Sequence, residues 1–259
     1  MTANSVTAER IGVVIVDYYT REHTLALIAD LAGQGFHSAI VVDNTGDSEY
    51  RQGWASLPPW ARLIASAKRA GFGAGVNLGA AQLTGCDILL VLNSDIRLIS
   101  GDLVVLAAEL LDRRVGVLAP RIVDRDGVSQ SDAAGPFLTL GAPDRKQVPR
   151  TGWVTGACFL TPVELFCRVG GFDERFFMYW EDVDYCRRLA DLGFAADVSA
   201  AACVMHVSGA SELSRAARYT RASRSRDLYL RKWNFVLPVR IAYRLMSLLK
   251  LLWLRRASV

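Results

Sequence analysis

Short apolar runs rich in β-branched residues alternate with helical segments through the first half of the chain. Five runs are short enough to be strands: IGVVIVDY (11–18), SAIVVDN (38–44), ARLIASA (61–67), DILLVLNSD (87–95) and VGVLAP (115–120). Helical spacing marks three segments between them: TREHTLALIADLAGQG, GVNLGAAQL and DLVVLAAELLDRR. Continuous apolar strands separated by helices are typical of a mostly parallel sheet covered on both faces. The sequence therefore predicts a doubly wound α/β body.

Polar side chains stand where four of these predicted strands end. The four groups are Asp17-Tyr18-Tyr19, Asp43-Asn44-Thr45, Lys68-Arg69 and Asn93-Ser94-Asp95. Ligands bind at the carboxyl ends of the strands in open α/β sheets, so we expect a binding site there. Ordinary loop polarity is the alternative for any one group.

Asp95 and His206 are candidate metal ligands. Asp95 follows a five-residue apolar run, and one carboxylate together with substrate phosphates suits Mg²⁺ or Mn²⁺. A turn or helix N-cap aspartate is the alternative. His206 ends another apolar run, AACVMHVSG, and would lie beside Asp95 if that strand returns to the sheet.

The glycine run GFGAGVNLG (71–79) does not fit the dinucleotide pattern G-x-G-x-x-G, and it follows the third predicted strand instead of the first. Two interpretations stay open. The run either lets backbone approach a ligand phosphate or lets a helix pack closely on the sheet.

The stretch FDERFFMYWEDVDYCRRL (172–189) interleaves five carboxylates with aromatic residues, five of which precede Glu181. Helical spacing from residue 183 places Glu181 and Asp182 at a helix start, where the helix dipole favours acids. That does not account for the rings. A carboxylate walled by Phe176, Phe177, Tyr179 and Trp180 would be desolvated, which raises its pKa and makes it a better proton acceptor. The rings also offer flat apolar surface to a sugar.

Composition separates the chain into an acidic body and a basic tail. Residues 215–259 hold 12 Lys and Arg and one acid, whereas the other 214 residues hold 18 basic and 25 acidic residues. We expect a domain over 1–211 and a helical tail over 212–259. Five scattered cysteines, never spaced C-x-x-C, indicate a reducing compartment, and the first ten residues carry no secretory signal pattern.

The tail's last segment, PVRIAYRLMSLLKLLWLRR (238–256), predicts an amphipathic helix. Its basic stripe contains Arg240, Arg244, Lys250 and Arg255, and Leu245, Leu248, Leu249, Leu252 and Trp253 face elsewhere. Interrupting charges argue against a transmembrane helix. We expect the helix to lie on the anionic inner face of the plasma membrane, in a cytoplasmic, peripheral protein that does not bind nucleic acid. Packing on the domain, or on another copy in a homodimer, is the alternative.

Seven motifs, in order over residues 11 to about 211, resemble family-2 inverting glycosyltransferases of the GT-A fold, in particular the bacterial rhamnosyltransferase-like branch. They are VVIVDYY, VVDNTGDS, AGFGAGVNLGA, LLVLNSD, GACFLTP, VGGFDERFFMYWEDVDYCRRLADLGF and VMHVSGAS. The resemblance implies transfer of rhamnose or a related hexose from a dTDP- or UDP-sugar. The implied acceptor is a hydroxyl of a saccharide or a polyprenyl-linked saccharide, in cell-surface polysaccharide or glycolipid synthesis.

The resemblance also implies residue roles. The implied base is Asp182, which would deprotonate the acceptor hydroxyl, and Asp95 with His206 would hold Mg²⁺ or Mn²⁺ against the donor diphosphate. The implied donor-binding residues are Tyr18, Asp43, Lys68, Arg69, Asn77, Asn93, Ser94 and Asp95. The implied acceptor-binding residues are Trp153, Tyr179, Trp180 and Glu181.

Two positions depart from the family's pattern. Asn93 stands where the family's D-x-D motif has its first acid, which weakens the expected contact to ribose or metal. The usual asparagine before the glycine run is replaced around Lys68-Arg69-Ala70.

Two other functions remain open at this point. A sugar-nucleotide pyrophosphorylase shares the nucleotide chemistry, but its Gly-rich, Arg/Lys signature is missing near the N-terminus. A binding protein that uses its basic tail is the other, because a fold alone does not decide function.

Overall fold

A computed structural model describes residues 6–66, 70–140, 142, 152–207 and 214–256 of the chain. Its strands are β1 Ile11–Asp17, β2 Ala39–Asp43, β3 Ala61–Ala65, β4 Ile88–Asn93, β5 Ile96–Gly101, β6 Val117–Val123, β7 Ala134–Gly135, β8 Trp153–Val154, β9 Cys158–Pro162 and β10 Ala196–His206. Its α-helices are α1 Arg21–Gly33, α2 Ser48–Gln52, α3 Phe72–Ala80, α4 Leu103–Arg113, α5 Val163–Arg168, α6 Glu181–Asp191, α7 Arg215–Lys232 and α8 Leu237–Arg256.

A mixed sheet runs through the middle of the molecule in the order β3-β2-β1-β4-β9-β6-β10-β5. β1 to β4 are mutually parallel where they pair. β9 enters antiparallel between β4 and β6, and β10 is parallel to β6 and antiparallel to β5. The predicted doubly wound, mostly parallel sheet is therefore confirmed.

Helices cover the sheet on both faces, which explains its continuous apolar strands. Every residue of β1 is buried. Its side chains alternate between two clusters, with Val13 and Ile15 packed towards α1 and α4 and Val14 and Val16 towards α3 and α6. Because both faces of β1 are covered, a ligand can reach this strand only at an end.

Some boundaries differ from the sequence-based prediction. The apolar run predicted to end at residue 95 contains a turn after Asn93, and the chain then enters β5, which the sequence pattern did not indicate. The apolar sequence GWVTGACFLT (152–161), which the pattern favours as a single strand, forms parts of two strands, β8 and β9, with a turn between them. Both interruptions lie at the strand ends where the polar residues gather.

The first tail helix, α7, is part of the domain's core. Tyr229 and Leu230 are fully buried with residues of α3 and α6. Lys232 Nζ lies 2.7 Å from both Asp173 Oδ2 and Asp184 Oδ1, and the indole of Trp233 donates to Asp184 Oδ1 at 3.0 Å. The side chain of Asp184 has no exposed surface, so these partners stabilise its buried charge.

The second tail helix, α8, lies against α7 in an orientation that the sequence did not predict. Arg244 donates to both oxygens of Asp227 in α7 at 2.8 and 2.9 Å, and Lys250 Nζ lies 5.2 Å from the ring centre of Tyr219. The basic side of α8 thus faces α7, which agrees with the alternative that this helix packs on the domain; the expected membrane contact stays a prediction. The leucine-rich side faces outward.

We predict that Lys232→Met lowers the free energy of unfolding by about 3 kcal/mol, because it removes a cation from two partly or fully buried carboxylates. The matched control is its neighbour, Arg231→Met, whose ion pair with Asp227 is half exposed and should cost less than about 1 kcal/mol. Urea unfolding followed by circular dichroism measures both. Equal losses in the two variants would contradict the anchoring role of Lys232.

Candidate active site

A cavity of about 860 Å³ opens at the carboxyl ends of β1 and β4. Ten of the residues predicted for the site line it: Tyr18, Asn93, Ser94, Asp95, Trp153, Tyr179, Trp180, Glu181, Asp182 and His206. They come from five separate elements that only the fold brings together. The roles assigned to these residues stay predictions.

Asp95 and His206 meet at the floor of the cavity. Antiparallel pairing of β10 with β5 sets His206 opposite Ile96, and Val207 N donates to Asp95 O at 2.9 Å. His206 Nε2 then lies 3.3 Å from Asp95 Oδ1. The expectation that His206 lies beside Asp95 is confirmed.

The surroundings of His206 suit a metal ligand. Its Nδ1 lies 3.3 Å from Gln130 Oε1, and its Nε2 lies 3.3 Å from Asn93 Nδ2, so a proton on Nδ1 would leave the Nε2 lone pair directed towards Asn93 and Asp95. The described residues contain no cluster of three or more His, Cys, Asp or Glu side chains. One carboxylate and one imidazole fit a cation that takes its remaining ligands from a substrate diphosphate.

The chain enters α6 through two consecutive left-handed residues, Tyr179 (φ 69°) and Trp180 (φ 71°). Each costs roughly 1–2 kcal/mol for a residue with a Cβ. Contacts from α7 hold this turn, because Tyr229 packs on Trp180 with ring centres 5.0 Å apart and Ser225 Oγ donates to Met178 O at 2.8 Å. The turn directs the first residues of α6 into the cavity.

Glu181 and Asp182 are adjacent carboxyl groups with different environments. Asp182 Oδ2 accepts from Gly156 N at 2.9 Å, and Oδ1 accepts from Val183 N at 2.8 Å. Burial raises the pKa of Asp182, but these N–H groups stabilise its ionised form. Glu181 is 5% exposed, and its Oε2 has no hydrogen-bond partner among the described residues.

Burial, together with the neighbouring charge of Asp182, raises the pKa of Glu181 well above its usual range. The two environments therefore favour a neutral Glu181 beside an ionised Asp182. Paired carboxyl groups that are separated in this way take different chemical roles.

The aromatic rings of the 172–189 stretch divide into two groups. Phe172 and Phe176 are fully buried and belong to the core around Tyr185. Phe177, Tyr179 and Trp180 line the cavity. The expectation that Phe176 walls the carboxylate is therefore wrong, while the other three rings do face the cavity.

Close packing explains the glycine run. Gly71 has φ 91°, and a Cβ there would lie 2.3 Å from Phe177 O, the acceptor for Phe72 N at 3.0 Å. A Cβ on Gly75 would lie 3.0 Å from a methyl of Val16. The run thus brings the start of α3 against both β1 and the segment that leads to α6.

Two of the predicted donor-binding residues that the structure describes, Asp43 and Asn77, do not line the cavity. Both oxygens of Asp43 are engaged, one with Thr45 and the other with Arg51 Nε at 2.9 Å. The side-chain amide of Asn77 donates to the backbone oxygen of Phe172 at 2.9 Å and accepts from the backbone N–H of Phe172 at 2.8 Å. These placements do not support donor contacts by Asp43 or Asn77. Lys68 and Arg69 lie outside the described residues.

Several cavity residues were missed by the sequence-based reasoning. Arg215, Arg218, Tyr219 and Lys250 reach the cavity from the tail, which the charge pattern predicts to be separate from the domain. The run of arginines was the available signal, but nothing in the sequence indicated that α7 folds back onto α6. Gly156 lies within the quoted motif GACFLTP, at its first residue, yet its N–H contact to Asp182 depends on the turn between β8 and β9.

Sequence comparison relates the chain to glycan-building enzymes. It is 30% identical over 229 residues to N-acetylglucosaminyl-diphospho-decaprenol L-rhamnosyltransferase of Mycobacterium tuberculosis. The aligned region covers 75% of this chain and 75% of the relative. It is 26% identical over 190 residues to the low-salt glycan biosynthesis hexosyltransferase Agl10 of Haloferax volcanii, which covers 69% of this chain and 61% of that relative. No protein-family model matches the chain.

Structural comparison defines the fold. A mannosyltransferase from Pyrobaculum calidifontis, solved with GDP-Man and Mn²⁺, superposes with a TM-score of 0.62 at 18% identity, over 92% of this chain and 69% of that one. TarS 1-349 of S. aureus, solved with UDP-GlcNAc, gives 0.56 at 17% identity, over 89% and 69%. The fold is GT-A, that of nucleotide-sugar-dependent glycosyltransferases.

The chain belongs to the family-2 glycosyltransferases of the GT-A fold. It is a glycosyltransferase, as the sequence predicted, and the pyrophosphorylase and binding-protein alternatives are set aside.

We predict that Gly71→Ala destabilises the protein and disturbs the cavity, because the new Cβ meets the carbonyl of Phe177. Gly85→Ala is the matched control: Gly85 also has a positive φ, of 71°, but a Cβ there meets nothing within 4 Å. The control should lose only the left-handed cost of roughly 1–2 kcal/mol. Thermal unfolding of both variants separates the cost of the left-handed backbone, which both share, from the cost of the clash with Phe177, which only Gly71→Ala has. Equal losses of stability in the two variants would contradict close packing at Gly71.

Proposed function

We propose that this enzyme transfers rhamnose, or a related hexose, from a nucleoside-diphosphate sugar to a hydroxyl of a saccharide carried on a polyprenyl diphosphate. The observation that carries the proposal is the single cavity that joins the Asp95–His206 pair to the Asp182 carboxylate. The relatives' names support the sugar and the acceptor, since one transfers L-rhamnose to a diphospho-decaprenol-linked sugar and the other transfers a hexose in glycan synthesis. dTDP-rhamnose and UDP-hexoses are the donors to test first.

In the proposed mechanism, Asp182 is the general base. Its carboxylate lines the cavity and is oriented by two backbone N–H groups. It would take the proton from the acceptor hydroxyl as that oxygen attacks the anomeric carbon, opposite the departing nucleoside diphosphate. Glu181, neutral and one residue away, would donate a hydrogen bond to the acceptor, and Trp153, Tyr179 and Trp180 would supply apolar surface for its sugar ring.

Asp95 and His206 would hold a divalent cation, Mg²⁺ or Mn²⁺, in the proposed enzyme. The cation would neutralise charge that develops on the leaving diphosphate. Two similar GT-A structures, one of them the mannosyltransferase, were solved with Mn²⁺, which supports this assignment. Asn93 and Ser94, which line the same wall, would contact the donor beside it.

We also propose that α8 binds the anionic inner face of the plasma membrane, through its outward leucines instead of its basic stripe. Eight large apolar side chains of α8 are between 46% and 68% exposed: Leu237, Ile241, Leu245, Met246, Leu248, Leu249, Leu252 and Trp253. A continuous exposed patch of this kind marks an interaction surface. The tail's 12 basic residues would draw it to anionic lipid. No helix within the described ranges has the length and apolar character to cross a bilayer.

The general-base assignment predicts that Asp182→Asn lowers kcat by about 10²-fold or more, with donor affinity and thermal stability nearly unchanged. The control, Glu181→Gln, replaces a neutral group by a neutral group and should lose less. Because burial raises the pKa of Asp182, wild-type kcat/KM should fall on acidification through a pKa above 3.8, the ordinary value. Normal turnover by Asp182→Asn, with loss in Glu181→Gln, would refute the assignment.

The metal assignment predicts that activity depends on Mn²⁺ or Mg²⁺ and that Asp95→Ala removes most of it. Donor binding with and without EDTA, measured by calorimetry, tests the same point apart from turnover. Asp124→Ala, in an exposed turn, is the control. Full activity in excess EDTA would rule out a metal role.

The membrane proposal predicts that the triple variant Leu249→Gln, Leu252→Gln, Trp253→Gln loses binding to vesicles of anionic lipid by at least about tenfold, because less apolar surface enters the interface. Ile99→Gln with Val105→Gln changes two equally exposed apolar residues elsewhere and should sediment like wild type. Equal sedimentation of the α8 variant and wild type, or no binding by wild type, would refute the proposal.

A further inference from the structure

Three basic side chains from the tail form one wall of the cavity. Arg215 and Arg218 are on successive turns of α7, and Lys250 reaches the cavity rim from α8. Tyr219, between the two helices, lines the same side and lies under Lys250 Nζ. We call Arg215, Arg218 and Lys250 the basic wall.

No carboxylate in the described part of the chain forms an ion pair with the basic wall. Within the described residues, Arg215, Arg218 and Lys250 form no ion pair, whereas Arg231, Lys232 and Arg244 of the same tail all do. Three unpaired cations along one side of a cavity attract an anion, and the planar guanidinium groups suit a phosphate. The wall therefore favours a ligand with concentrated negative charge.

The neighbourhood of the wall indicates which anion it receives. Lys250 lies on α8 within three residues of the exposed Leu249, Leu252 and Trp253. The helix rises 1.5 Å per residue, so the cation and the apolar side chains lie within about 5 Å of one another along its axis. Leu254, which is buried, continues the apolar surface from α8 into the cavity. A diphosphate attached to a lipid chain presents the same two chemistries side by side.

We propose that the basic wall binds the diphosphate of a lipid-linked acceptor and so orients the acceptor sugar towards Asp182. The inference deepens the proposed function and rests on it. The donor's diphosphate is a separate anion, assigned above to Asp95 and His206. The tail thereby supplies both a lipid-facing surface and the part of the cavity wall that recognises the lipid's head.

Binding of farnesyl diphosphate to the full chain, measured by calorimetry in EDTA, tests the proposal without any sugar transfer. EDTA removes metal-dependent binding of a diphosphate at Asp95 and His206. Wild type should bind farnesyl diphosphate at least about tenfold more tightly than farnesol, since hydrogen bonds to charged groups are strong. Arg218→Gln should weaken that binding by at least about tenfold, and Arg218→Lys by less.

The control is Arg62→Gln, the same change at an exposed arginine of β3 that hydrogen-bonds Gln82, and it should bind like wild type. Donor affinity, measured with Mn²⁺, should be unchanged in Arg218→Gln. Equal binding of farnesyl diphosphate and farnesol by wild type would overturn the proposal. A loss of donor affinity in Arg218→Gln that matches its loss of farnesyl diphosphate would instead assign the wall to the donor. Absence of sugar transfer by wild type would count against the proposed function, not against this wall.

Discussion

The pairing of Asp184 with Lys232 and Trp233 determines how helix α7 of the tail packs against helix α6 of the domain. A carboxylate with no exposed surface is stable only where cations and N–H donors reach it, and here the donors come from α7 as well as from Arg188 in its own helix. α7 must therefore lie on α6. Once it does, Tyr229 covers Trp180 and Ser225 reaches the carbonyl of Met178.

Those contacts stabilise the left-handed turn at Tyr179 and Trp180, and the turn aims the first residues of α6 into the cavity. Strain at a functional site persists where the surroundings over-determine it. The glycines of α3 contribute from the other side, because only a residue without a Cβ lets the start of α3 approach Phe177. Asp182 is thus positioned by elements from both halves of the chain.

Much of the fold could be predicted from the sequence, because buried parallel strands read as continuous apolar runs and helices as 3.6-residue periods. β5 could not, since its sequence IRLISG is short, half exposed and not alternating. The cavity residues at strand ends were predictable for the same reason as the strands. The placement of Asp43 and Asn77 away from the cavity could not be predicted, because their hydrogen bonds to Arg51 and Phe172 depend on the folded structure and not on the local pattern.

The tail shows a second limit of prediction from sequence. Its amphipathic pattern correctly separated a basic side from an apolar side, but a pattern does not indicate which side meets protein. Asp227 and Tyr219 on α7 offer partners for Arg244 and Lys250, so the basic side packs inward and the leucines remain outside. The geometry also brings tail cations to the cavity, which makes the tail part of the proposed acceptor site.

In the proposed mechanism, Asp182 serves as the base in one direct displacement within this cavity. The most direct measurement is the anomeric configuration of the transferred sugar, read from the one-bond C1–H1 coupling in the NMR spectrum of the product. One displacement predicts a configuration opposite to that of the sugar in the donor. Retention of the donor's configuration would contradict this mechanism, because it requires a second displacement or attack from the face of the leaving diphosphate.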